Sequence, residues 1–97
     1  MISAVMVGNI NTVIYTASER TAITSIVFCN TSSATDTLTV FVGGTNVKNT
    51  ILSNVTIEAG DSFTINLEKF ILEKNDTVVA VTSNGSINAV VSSMGLE

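Results

Sequence analysis

The residues best suited to chemistry are acidic. Ile57-Glu58-Ala59-Gly60-Asp61-Ser62 is echoed, fifteen residues on, by Leu72-Glu73-Lys74-Asn75-Asp76-Thr77. Each stretch sets an apolar residue and Glu before Gly or Asn, then Asp and a hydroxyl residue. Carboxylates gathered in this way could hold Ca²⁺, which takes oxygen ligands. The same pattern also describes two similar turns, with Gly60 and Asn75 in left-handed geometry and Asp61 and Asp76 accepting backbone N–H bonds. The turn reading is the preferred one, and no metal site is assigned.

Other chemistry is poorly supplied. The chain has no His, so neither a Ser–His–Asp nor a Cys–His arrangement can form. A single Cys and no His also remove zinc and most transition-metal sites. Cys29 stands in an apolar stretch, where a free thiol behaves as a small hydrophobe. Gly43-Gly44 lacks the Lys and following helix of a phosphate-binding loop and reads as a turn. Eight acids scattered among turns single out no pair for glycoside hydrolysis. With one Tyr, Tyr15, and no Trp, a carbohydrate-stacking platform is thin. The chain is therefore expected to be no enzyme, with no catalytic residue and no cofactor.

The elements behind these residues are strands. Val, Ile and Thr dominate, good helix formers are sparse, and Ser, Thr and Asn make up about a third of the 97 residues. Turn signals recur at the short intervals of a sandwich or barrel. They predict strands at about 2–7, 11–16, 21–29, 37–42, 50–57, 62–67, 76–82 and 86–94. Leu38, Val40 and Val42 point one way, with Thr37 and Thr39 on the opposite face; Phe63, Ile65 and Leu67 do the same, with Ser62, Thr64 and Asn66 opposite. Asn84-Gly85 reads as a type I′ hairpin turn. Around Phe70, LEKFILEK allows one helical turn, a bend or a short strand. The expected fold is an all-β, single-domain antiparallel β-sandwich over residues 1–97, jelly-roll-like, with about eight strands.

Composition narrows the partners. Net charge is −4, and the four cations Arg20, Lys48, Lys69 and Lys74 are scattered. They make no basic stripe, so no nucleic acid is expected. The longest apolar run is far short of the ~20 residues a membrane helix needs, so no membrane is expected either. The start, MISAVMVGNINTV, lacks the basic n-region and long h-region of a secretory signal. Four Asn-x-Ser/Thr sequons, at Asn30, Asn54, Asn75 and Asn84, arise by chance in such a composition.

One strand poses a question. Residues 21–30, TAITSIVFCN, taken with a strict period of two, are apolar on both faces. Ile23, Ser25, Val27 and Cys29 line one face; Ala22, Thr24, Ile26 and Phe28 line the other. A strand with one face in water should alternate.

The same stretch carries a resemblance. Tyr15-Thr16-Ala17, then Thr21-Ala22-Ile23-Thr24-Ser25-Ile26-Val27-Phe28-Cys29-Asn30, resembles small virion structural proteins of tailed bacteriophages. The likeness continues through a Ser/Thr/Ala-rich loop and apolar strand, Thr31 to Val42, and the Ala59-Gly60-Asp61 turn. It ends with the apolar element and Asp-x-Val from Phe70 to Val78. Its most specific part is Ser-Ile-x-x-Cys-Asn. One departure is the turn Ala17-Ser18-Glu19-Arg20, where the family usually has Pro and Gly.

The resemblance implies a β-sandwich set repeatedly on a phage particle. The favoured expectation is a capsid decoration (cement) protein, made in the host cytoplasm, that binds the outer head surface and stabilises it. Its partners would be the major capsid protein or other virion proteins, and copies of itself as a homotrimer. The alternative is a tail, neck or fibre-associated module contacting a receptor or glycan. On a particle the second apolar face of 21–29 would be covered by a neighbouring subunit; within one chain it would be covered by further structure. The lattice favours the first, with Ile26 and Phe28 as the subunit-contact face and Val27 and Cys29 in the core.

Overall fold

β-Branched runs divided by Gly, Asn and Asp form strands almost where the sequence places them. The computed structural model describes residues 2–65 and 70–95. Its strands are β1 (Ile2–Val7), β2 (Thr12–Thr16), β3 (Thr21–Asn30), β4 (Asp36–Val42), β5 (Thr50–Ile57), β6 (Ser62–Ile65), β7 (Phe70–Leu72), β8 (Thr77–Thr82) and β9 (Ile87–Gly95). A single 3₁₀ turn, Val47–Asn49, lies between β4 and β5. The segment around Phe70 takes its short-strand alternative. Asn66 and Leu67, the end of the sixth expected strand, lie outside the described residues.

All pairings are antiparallel and build two sheets. One runs β1-β9-β3-β6, with β7 also paired to β3; the other runs β2-β8-β4-β5. β6 pairs with Ile26 to Cys29 and β7 with Thr21 to Ile23, so the two short strands share one edge of β3. Counted as one position, they leave four strands per sheet in the order of a jelly roll. That is the expected fold, with its sixth position split.

The core lies between the sheets. Ile23, Ile26 and Phe28 of β3 meet Leu38 and Val40 of β4, Val78 and Ala80 of β8, and Ile87, Ala89 and Val91 of β9. The puzzle of TAITSIVFCN is resolved by its register. Pairing between β3 and β9 slips between Ile23 and Ser25. A bulge of one residue reverses which face each following side chain takes. Ile23 points inward before the bulge, Ile26 and Phe28 after it. The Thr24 hydroxyl at the bulge donates to the Ser92 carbonyl at 3.1 Å. The strand is two half-strands of opposite parity, so strict alternation made both faces look apolar.

The echoed acidic stretches are matched turns. The Asp61 N–H donates to the Glu58 carbonyl and the Asp76 N–H to the Glu73 carbonyl, both at 3.0 Å. Gly60 and Asn75 have φ of 76° and 75°. Each turn then clasps another corner of the chain. Gly60 N–H donates to Asn30 O, and Asn30 N–H to Asp61 O; likewise Asn75 N–H donates to Ala17 O, and Ala17 N–H to Asp76 O. Asn tolerates the left-handed region, whereas a Cβ with no local hydrogen bond costs about 1–2 kcal/mol there. Asn75→Ala is therefore expected to lower stability by about 1 kcal/mol, with Asn75→Gly neutral or stabilising, as chemical denaturation would read.

The Asn84-Gly85 hairpin is corrected. β8 and β9 belong to different sheets, so the turn crosses from one to the other. Gly85 has φ 73°, but Asn84 has no positive φ, which a type I′ turn requires. Dipeptide chemistry found the turn and could not see which sheet each arm would join.

Candidate interaction surfaces

The expected contact residues are not at the surface. Ile26 and Phe28 are both 0% exposed, and Phe28 heads the fully buried side chains. Val27 and Cys29 are half-buried on the opposite face. The face assignment is thus reversed: Ile26 and Phe28 belong to the core of one chain, and the outward face of this half of β3 is Ser25, Val27 and Cys29. The bulge at Thr24 is the physical reason.

The outward face of the β1-β9-β3-β6 sheet follows from register. Ile2, Ala4 and Met6 of β1 lie opposite Ser92, Val90 and Asn88 of β9. These in turn lie opposite Ser25, Val27 and Cys29, which pair onward with Thr64 and Ser62 at Val27 and Cys29. The Asn88 Oδ1 is buried there without a hydrogen-bond partner. On the second sheet, Val13, Val79, Phe41 and Thr50 form one outward row. Val79 is buried in it by its neighbours although it is no part of the central core.

These faces share an unusual property. Across all nine strands one residue is charged, Asp36, and it is buried. Among the described residues, every exposed charge sits in a connection. Glu19, Arg20, Lys48, Glu73 and Lys74 lie toward the Ala17 end; Glu58 and Asp61 lie toward the Asn30 end. Arg20 and Glu73 form an exposed ion pair at 3.5 Å, of the kind that contributes about 0–1 kcal/mol.

The two Asp turns do not converge. Asp61 docks at Asn30, the last residue of β3, and Asp76 at Ala17, before its first. Ten strand residues span roughly 30 Å, so the two carboxylates cannot share one ion. The Asp76 carboxylate instead accepts the Glu73 N–H at 3.0 Å. Among the described residues, no three His, Cys, Asp or Glu side chains come together.

A polar cluster that sequence reasoning passed over closes the Asn30 end. Asp36 Oδ1 accepts the N–H groups of Thr37, Ser83 and Asn84 at 2.8, 3.0 and 2.9 Å. Its Oδ2 accepts the Ser86 N–H at 3.2 Å and hydroxyl at 2.8 Å. Asn30, also fully buried, donates from Nδ2 to the carbonyls of Ala34 and Ile57 at 2.8 and 3.0 Å. Burial pushes the Asp36 carboxyl up, but the hydrogen bonds from Ser86, Asn84 and Thr37 outweigh it and hold it below the ordinary aspartate value. Every one of these partners lies within the chain, so the cluster ties loops together. In the sequence its only trace is an Asn and an Asp flanking one polar loop.

One apolar groove, of about 240 Å³, opens between the edges β5 and β6 and is lined by Ile51, Leu52, Phe63, Thr64 and Ile65. It falls below the ~300–1,000 Å³ of small-molecule sites and has no convergent polar groups. No family model, no curated protein and no solved structure matches the chain.

Proposed function

We propose that this chain is a non-enzymatic structural protein of a tailed-phage virion, most simply a capsid decoration protein bound to the outer head surface. One observation carries the reading beyond the sequence resemblance. Among the described residues, both broad faces of the sandwich are free of exposed charge, and exposed charges are confined to the connections. Outward strand positions of a freely diffusing protein commonly include charges, which keep it soluble and its edges unpaired. A protein packed into an array keeps such faces against neighbours, where each weak contact is multiplied by effective concentration.

Oligomerisation remains part of the proposal, through surfaces other than Ile26 and Phe28. A fold of this kind hosts many functions, so the jelly roll adds no weight by itself. The test is copy number. Quantifying the chain against the major capsid protein in purified particles should give a ratio set by the head lattice. A few dozen copies or fewer would favour the tail or neck module, and absence from particles would end the virion reading.

A further inference from the structure

The sandwich has four edges, and three of them are guarded. A free edge strand presents unpaired N–H and C=O groups to any strand that arrives, and proteins blunt it with bulges, charge, Pro or shortness. β2 carries a register slip between Val13 and Tyr15. β5 has slips on either side of Val40's pairing and a left-handed Asn54, φ 49°. β6 and β7 have only four and three residues. β1 has none of these devices: six residues, ISAVMV, in unbroken register from Ile2↔Ser92 to Val7↔Ile87, with no charge and no Pro. Among the described residues its far side has no strand partner.

The side chains beside this edge are apolar. Ile2 and Met6 are 72% and 51% exposed, and Ile10 and Val13, in the next connection and in β2, are 72% and 53% exposed. These are four of the eight large hydrophobic residues exposed among those described.

We propose that β1 is a pairing edge, closed by β1 of a second copy about a two-fold axis perpendicular to the sheet. The pattern of β1 argues for a second copy over an unrelated strand. Such an axis keeps the outward face outward in both copies, so paired residue numbers must sum to an even value. Centred on the strand, the register sets Ala4 against Ala4 at the axis and Ile2 against Met6 on either side. The smallest outward residue meets itself where space is least, and the two large ones meet each other. Cross-strand apolar pairs of this kind are the unit of sheet stabilisation. The contact is isologous, so it uses the edge in both copies and the assembly closes at two. The inference stands on edge geometry and does not depend on the virion reading.

The experiment uses the self-pairing of Ala4, an exposed residue whose replacement leaves the core untouched. The parent chain should sediment as a dimer at high micromolar concentration. Ala4→Lys and Ala4→Glu, each folded by circular dichroism, should sediment as monomers, because like charges then face each other across the axis. An equimolar mixture of the two should recover the dimer. A monomeric or trimeric parent, or a dimer indifferent to both variants, would overturn the proposal. Should either variant fail to fold, amide hydrogen exchange of the parent decides: β1 amides that turn away from β9 should gain protection as concentration rises, and concentration-independent exchange would count against it.

Discussion

Phe28→Ala should come close to unfolding the protein. The ring is fully buried between the sheets and is the largest of the fully buried side chains among the described residues. Truncating such a residue costs about 3–5 kcal/mol, from lost transfer energy and the cavity left behind. Domains of this size have total stabilities of about 5–15 kcal/mol. At roughly 4–8 °C per kcal/mol, the melting temperature should fall by more than ten degrees. Ile26, equally buried beside it, should behave in the same direction when truncated. Cys29→Ser, on the half-buried outward face, should stay within about 0.5 kcal/mol of the parent. Thermal and urea denaturation of the purified variants reads all three. A Phe28→Ala protein that melts like the parent would contradict its place in the core.

This expectation reverses the one the sequence invites, and the reason is local. Where β3 keeps its period, the faces can be read directly: Ile26 and Phe28 share one, Val27 and Cys29 the other. What sequence patterning lacks is the slip at Thr24, because no residue there announces a bulge; Thr and Ser suit a regular strand as well. Without the slip, Ile23 falls on the wrong side and both faces look apolar. Strand positions were legible because β-branched runs and Gly, Asn and Asp turns act locally. The matched turns at Gly60 and Asn75 were legible for the same reason, since left-handed geometry selects few residues. The sheet each strand joins was not, as with the turn at Asn84-Gly85, because that choice is made by contacts distant in sequence. The scarcity of charge was visible as composition; that, among the described residues, exposed charge is confined to the connections needed the strands in place. Asp36 shows the limit most plainly, since a carboxylate at a strand start reads as a surface group until its five donors are seen.

Asp36→Ala should be the other severe substitution, and it should remove an acid sensitivity along with the stability. Four N–H groups and the Ser86 hydroxyl converge on this carboxylate, which is 1% exposed. Hydrogen bonds to a charged group contribute about 1.5–3 kcal/mol, and unpaired buried donors add their own penalty. A loss of about 3 kcal/mol or more follows, centred on the crossing from β8 to β9 that these bonds hold. The pH dependence has a definite sign. The folded carboxyl titrates below its ordinary value, so the native state binds its proton less readily than the unfolded chain. Its contribution is then fully present above the unfolded pKa of about 4 and is lost as pH falls through the lower folded value. The parent should lose stability on acidification below about pH 4, and Asp36→Asn should be less stable near neutrality but flatter across that window. Urea midpoints measured from neutral pH down to pH 2 would check both parts. If Asp36→Asn kept the parent's full acid slope, the carboxylate at the loop crossing would not be its source.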